Sequence, residues 1–294
     1  MCKALQKCKV SFARECQMSA TVLHLVVSNK PHPGLDVLLA SSSRISNLQT
    51  RVLGLGSQTP IGHGFKGFGL KLELLKQELL LCPPLQPVLF TDAWDVVLQG
   101  SIDPLLQWLD AHPGKVLFSA ETAKWPDKNL FYPIPLQFPF PYLNSGCFCG
   151  RAQDLLKLLQ KPFTSKTDDQ GYYSEQFVDP ANTIIELDHK ADMFLSMFGL
   201  DANDLQMHKE GVTFRGKSPI VLHLNNGATR IKWFVSVVRA VLGEPFVPPA
   251  RSIAIKTALS AVDSWPWKWI LLTLFLVWMV RRVLQGIQKT YAVP

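Results

Sequence analysis

Apolar positions along this chain fall into short runs separated by polar turns, not into long stripes or repeats. Residues 21–27 (TVLHLVV) are apolar and β-branched, which predicts a buried strand ending at Ser28-Asn29. A short helix is expected within 34–48, and Thr50–Leu55 (TRVLGL) alternates as a second strand would. Glycines at 62, 64, 67 and 69 lead into Leu70–Leu81 (LKLELLKQELLL), a strongly helical run. Pro87–Phe90 (PVLF) and Lys115–Ala120 (KVLFSA) read as two more buried strands. A Pro- and aromatic-rich loop runs from Leu130 to Tyr142, an extended small-residue segment covers 142–150, and a helix is expected over Ala152–Gln160. Such a succession of strands and helices predicts an α/β fold.

Composition narrows the class. At 294 residues with 47% hydrophobic and 18% charged residues, the chain can form one large domain or two small ones around a packed core. Disordered, collagen-like, coiled-coil and repeat architectures are excluded. The net charge of +7 belongs to the ends: residues 1–30 carry five Lys/Arg against one Glu, and residues 250–294 carry six against one Asp. The middle of the chain is slightly acidic, so nucleic acid is not an expected partner. The six cysteines form no CxxC pair, which argues against a zinc knuckle. Cys147 and Cys149 are expected on one face of a strand, as buried small hydrophobes or as a redox pair.

Both ends differ from the body. Residues 1–20 form a basic arm with no apolar run of the kind that marks a cleaved secretory signal. The arm suits organelle targeting or a start codon placed too far upstream. Near the C-terminus, Trp265-Pro-Trp-Lys-Trp269 opens a run to Val280, followed by Arg281-Arg282. Its twelve uncharged residues, from Trp269, would extend roughly 18 Å as a helix. That is short of a bilayer core unless Lys268 and Arg281 reach outward to the interface. A membrane anchor over 265–284 is expected, against a buried or surface helix as the alternative. The expected layout is an arm (1–20), a single α/β domain (21–240), a linker (241–264), the anchor helix (265–284) and a tail (285–294). Arg281, Arg282 and Lys289 place the C-terminus in the cytosol by the positive-inside rule. The body would then be lumenal, which conflicts with the lack of a visible signal sequence.

Candidate chemistry lies at strand ends. The third strand runs into Thr91-Asp92-Ala93-Trp94-Asp95, with two carboxylates three apart where open α/β sheets bind ligands. Such a pair can hold Mg²⁺ or Mn²⁺, or it can be a turn or helix cap. Asp168-Asp169 stand at a helix start, where acids complement the dipole. Glu186-Leu-Asp188-His189 follows an apolar strand, and PIVL at 219–222 leads into His223-Leu-Asn-Asn-Gly227. His223 can be a metal ligand or a core histidine. His189 can hold structure or substrate.

Taken in order, RVLGLG, GLKLELLKQEL, LFTDAWDVVLQG, LFSAETAKWP, YLNSGCFCGRA, DDQGYYSEQFVDP, LDHKADMF and PIVLHLNNG resemble one family over about residues 21–235. The chain is similar to the N-terminal glycosyltransferase domain of the procollagen lysyl hydroxylases, without their oxygenase domain. The resemblance implies a GT-A-type, Rossmann-like nucleotide-sugar transferase domain, here with a C-terminal hydrophobic helix. It implies UDP-glucose or UDP-galactose as donor, a protein or glycan acceptor such as hydroxylysine, and an endoplasmic reticulum or Golgi membrane setting. Asp92, Asp95 and His223 match the family's metal ligands, and the mixed oxygen and nitrogen set suits Mn²⁺, with Mg²⁺ as the alternative. Ser28, Lys71, Trp94, Asn225 and Gly227 fall on the donor side by resemblance, and Trp125, Asn144, Asp168 and Asp169 on the sugar and acceptor side. The sequence departs from the family where His-Gly-Asn-Gly is common, because Leu224 replaces a glycine and one residue is inserted. Altered diphosphate binding is the expected consequence, and a non-catalytic binding module is the rival reading.

Overall fold

The computed structural model describes residues 21–57, 68–133, 138–200, 204–208, 211–225 and 231–243. The chain divides into two compact units, Met1–Phe246 and Val247–Pro294, and every described residue belongs to the first. The basic arm, three of the four loop glycines (62, 64 and 67), Gly227 and the 265–284 segment lie outside the described residues. Among the described residues, no helix is long and apolar enough to cross a membrane.

The fold is mixed α/β, as the succession of runs predicts. A six-stranded sheet has the order β2-β1-β3-β6-β5-β7, made of β1 (Val22–Val27), β2 (Leu48–Leu53), β3 (Pro87–Thr91), β5 (Val116–Glu121), β6 (Tyr142–Arg151) and β7 (Ile185–Asp188). β1 is parallel to β2 and β3, β6 runs antiparallel to both β3 and β5, and β5 is parallel to β7. A three-stranded sheet, β4-β11-β8, joins β4 (Val96–Leu98) to β11 (Val221–His223) and β8 (Phe194–Ser196). β9 (Leu205–His208) and β10 (Gly211–Phe214) form a hairpin.

Both faces of the main sheet are covered, which is why its strands read as continuous apolar runs. The two-residue period sorts them: Leu23, Leu25, Val88, Phe90, Phe118 and Phe148 join one cluster. Val22, Val26, Leu89, Leu117, Cys147 and Cys149 join the other. Both cysteines are buried free thiols on one face. The long helix α2 (Gly69–Leu80) follows α1 (Pro33–Ser42) and buries Leu72, Leu75 and Leu79. Gly69 is needed for contact: a Cβ there would stand 1.8 Å from the Thr164 carbonyl oxygen. Later helices are α3 (Asp103–Ala111), α4 (Ala152–Leu158), α5 (Asp169–Val178) and α6 (Ile231–Leu242).

One buried polar residue within β1 carries a testable consequence. His24 is fully buried, with Nδ1 3.1 Å from Thr50 Oγ1 and Nε2 2.8 Å from Thr91 Oγ1. Burial lowers its pKa to about 3. Unfolding exposes an imidazole that protonates near its ordinary pKa of about 6.5. The contribution is therefore complete above that pH and is lost as pH falls toward 3, by up to about 1.4 kcal/mol per pH unit. Urea midpoints measured from pH 7 to 4 should fall more steeply for the wild type than for His24→Gln.

Candidate active site

Three segments distant in sequence meet where β3 and β11 end beside the middle of β6. β3 delivers Asp92, whose backbone N–H donates to the Gly146 carbonyl at 2.7 Å. β11 pairs antiparallel with β4, placing His223 opposite Val96, and Leu224 N–H donates to the Asp95 carbonyl at 2.8 Å. The ladder thus fixes His223 beside Asp95 across 128 positions of chain. His223 Nε2 lies 3.7 Å from Asp92 Oδ2 and 3.6 Å from Asp95 Oδ1. One ligand atom from each of the three residues lies within 4.8 Å of the others. Bonds of about 2.1 Å to a hard cation hold neighbouring ligands ~3–4 Å apart, so the set fits a divalent ion.

Gly146 makes this closeness possible. A Cβ at this position would stand 2.2 Å from His223 Cε1 and 2.9 Å from Asp92 Oδ2. Gly146→Ala is therefore expected to push the ring off the carboxylates and weaken Mn²⁺ binding by more than about 10-fold, as loss of ligand orientation does. Mn²⁺ titration followed by electron paramagnetic resonance would measure this.

Burial alone disfavours a charged His223 ring, but Cys147 and Asp95 reverse this and raise its pKa well above the ordinary value. Burial also holds the Cys147 thiol up and hence neutral, so Asp95 is the neighbour whose charge acts at neutral pH. A metal ion at this site competes with the His223 proton.

Lys71, from the first turn of α2, links both sides of the site. Its Nζ lies 2.6 Å from Asp92 Oδ1 and 3.2 Å from Asp169 Oδ2. Burial opposes the charge on Lys71, but Asp169 and Asp92 outweigh it and raise the ammonium well above its usual range. Asp92 therefore offers one oxygen to Lys71 while the other faces His223.

The two adjacent acids separate. Asp168 is the N-cap of α5, accepting from Gly171 N–H at 2.7 Å. Asp169 is buried, pairs with Lys71 and accepts from Ser145 Oγ at 3.2 Å. Burial raises the Asp168 pKa.

Lys71, Asp92, Trp94 and Asp95 line one cleft with Val27, Phe68 and Ala93. Trp94 Nε1 donates to Ser28 Oγ at 3.0 Å, and that hydroxyl donates to the Lys30 carbonyl at 2.8 Å. His32 stacks on Trp94 with ring centroids 4.5 Å apart, and Lys30 Nζ lies 5.3 Å from the indole centroid. Ser28 thus acts on Trp94. Trp125 is 43% exposed, and its carbonyl accepts from Gln170 Nε2 next to the α5 N-terminus. Asn144 is buried, 3.1 Å from His223 Nδ1 through its Oδ1.

Asn225, expected on the donor side, has its amide bonded within the protein. Its Oδ1 accepts from Phe198 N–H at 3.0 Å and its Nδ2 donates to Glu121 at 3.0 Å, both within a buried network. Leu224 is 5% exposed and joins the main core cluster, so its side chain does not enter the cleft. His189 holds structure: its Nδ1 donates to the Phe140 carbonyl at 2.7 Å and its ring stacks on Phe138. Asp188 accepts from the backbone of Asp192, Met193 and Phe194. Sequence reasoning missed Glu121 and Gln170, which bind the site from behind. Glu121 also ends an apolar strand, the signal that pointed to Asp92.

A Rossmann-like α/β domain with Asp92, Asp95 and His223 at its strand ends and Lys71 on the adjoining helix has the layout of a glycosyltransferase domain. The chain belongs to the PLOD GT domain family, which it matches over residues 18–235. It is 31% identical over 221 residues to procollagen-lysine,2-oxoglutarate 5-dioxygenase of Drosophila melanogaster, covering 70% of this chain and 30% of that protein. Identity is 31% over 205 residues to the human multifunctional procollagen lysine hydroxylase and glycosyltransferase LH3, covering 65% and 28%. It is 32% over 223 residues to procollagen-lysine,2-oxoglutarate 5-dioxygenase 1 of Bos taurus, covering 72% and 30%. The chain spans about 30% of the length of these relatives.

Proposed function

We propose that residues 21–240 transfer glucose or galactose from a UDP-sugar to a hydroxyl acceptor on a protein or glycan, in a Mn²⁺- or Mg²⁺-dependent reaction. The convergence of Asp92, Asp95 and His223 beside Lys71 carries this reading. When bound, the cation neutralises charge developing on the departing diphosphate. Asp92, Asp95 and His223 hold it, and Lys71 adds a fixed positive charge on the same side. Trp94, braced by Ser28 and His32, offers an aromatic surface in the cleft for the uracil ring. Asp169 provides a carboxylate toward the sugar and acceptor, oriented by Lys71 and Ser145. Trp125 contacts the acceptor in this reading, which its exposure beside the α5 N-terminus supports.

The test is UDP release from UDP-glucose and UDP-galactose with Mn²⁺ present or chelated, across hydroxylysine, galactosyl-hydroxylysine and glycan acceptors. Sugar-dependent release requiring both Mn²⁺ and an acceptor supports transfer. Donor binding with no release across the panel supports a binding module instead, the reading that Asn225 favours because its amide is engaged in the buried network.

We also infer that 265–284 attaches the protein to an endoplasmic reticulum or Golgi membrane. Its run of Trp, Leu, Ile and Val residues between Lys268 and Arg281 supports this. A chain ending at Ala250 is expected in the soluble fraction of cells, whereas the full chain should sediment with membranes. Full-length protein found wholly in the soluble fraction would refute the attachment.

A further inference from the structure

Glu121 ends β5 and is only 5% exposed. Its carboxylate gathers three amides: Oε1 accepts from Asn144 Nδ2 at 3.1 Å and Gln170 Nε2 at 2.6 Å, and Oε2 accepts from Asn225 Nδ2 at 3.0 Å. An ionised carboxylate accepts hydrogen bonds and donates none. The Asn144 amide is therefore fixed with Nδ2 toward Glu121 and Oδ1 away from it. That Oδ1 accepts from Gly146 N–H at 3.0 Å and lies 3.1 Å from His223 Nδ1. An oxygen acceptor at this distance requires a proton on Nδ1. The other ring nitrogen, Nε2, is the one that faces Asp92 and Asp95.

We propose that Glu121 is a positioning residue for the metal ligand: acting through Asn144, it holds His223 with Nδ1 protonated and the Nε2 lone pair directed at the cation. The inference rests on the metal reading above. It assigns a hydrogen-bonded carboxylate behind a ligating histidine, with an amide interposed, and outer-shell partners of this kind set both ring orientation and tautomer. The same carboxylate holds Gln170, next in sequence to Asp169, so one buried group orients parts of both the metal side and the sugar side.

Glu121→Gln tests the relay with little change of shape. The new NH₂ meets the single donor Asn225 at the Oε2 position and leaves an oxygen to Asn144 and Gln170, but the negative charge behind the Asn144 amide is gone. Without that charge the Asn144 amide is less polarised, so its Oδ1 holds the His223 Nδ1 proton less firmly and Nε2 is a weaker ligand. Asn144→Asp breaks the same bond to Glu121 but keeps an oxygen facing His223 Nδ1, the two carboxyls sharing one proton as close carboxylates do. Mn²⁺ affinity of the full chain, measured by calorimetry, should fall about 10- to 100-fold in Glu121→Gln and stay within about threefold in Asn144→Asp. In Mg²⁺-loaded wild type, ¹⁵N spectra should show the His223 proton on Nδ1.

Unchanged Mn²⁺ affinity in Glu121→Gln, or equal losses in both variants, would overturn the relay, since a purely structural role makes no distinction between them. If Glu121→Gln does not fold, the double variant Glu121→Gln/Asn144→Asp decides. Its Gln donates to the new carboxylate, and wild-type-like affinity supports the relay whereas weak binding sinks it. Wild-type protein that binds no Mn²⁺ at all would overturn the metal reading itself, a result distinct from intact binding that ignores Glu121.

Discussion

Alanine at Asp92 or Asp95 should abolish Mn²⁺-dependent UDP release while leaving the domain folded. Both carboxylates are partly exposed, with side-chain accessibilities of 25% and 40%, so truncation opens no core cavity. The loss falls on charge stabilisation at the departing diphosphate, for which a metal supplies several kcal/mol, or a rate factor of at least about 100. The two variants should differ in degree. Asp92 also anchors Lys71 at 2.6 Å, so its removal loosens a second positive charge, whereas Asp95 lies 3.6 Å from His223 Nε2. Turnover assays beside thermal melts would check this. Near-wild-type turnover in either variant would remove that residue from the ligand set.

The adjacent acids Asp168 and Asp169 should respond in opposite ways. Asp169→Asn is expected to lower single-turnover transfer by about 10- to 150-fold, since a charge-assisted hydrogen bond in a buried site is worth roughly 1.5–3 kcal/mol. UDP affinity should change less, because a carboxylate on the sugar side acts mainly on the transition state. Asp168→Ala removes the N-cap of α5, which costs about 1 kcal/mol of stability, and should leave turnover per folded molecule nearly unchanged. Calorimetric UDP titration together with single-turnover kinetics separates the outcomes. Equal losses of UDP affinity and rate in Asp169→Asn would move Asp169 to the nucleotide side. A lower melting temperature alone would make it a structural residue.

The long elements were legible because their residues repeat a strong signal. β1, β3 and β5 are apolar on both faces, and α2 repeats leucines at helical spacing, so local pattern and tertiary role agree. The short strands β4 and β8, three residues each, carried no such signal, because three residues cannot display a period. They exist because β11 pairs with both. Adjacent Asp168 and Asp169 look alike in sequence; the cap geometry of α5 turns one inward to Gly171 and leaves the other to Lys71. Asn225 was expected on the donor side by resemblance alone; its bonds to Phe198 N–H and Glu121 join residues too far apart in sequence for any local pattern to reveal.

By itself, the sequence determined the α/β class, the buried strands and the strand-end carboxylates, because burial on both faces and helical periodicity are properties of neighbouring residues. It also determined the family, through eight blocks in order. Only the tertiary structure decided which distant groups touch. His223 reaches Asp92 and Asp95 because β11 pairs with β4 and because Gly146 has no Cβ to fill the gap. Lys71 meets both Asp92 and Asp169, and Glu121 meets three amides, across separations of 21 to 104 residues. Contacts of that range depend on how the sheet is ordered, and no local pattern of apolar and polar residues encodes that order.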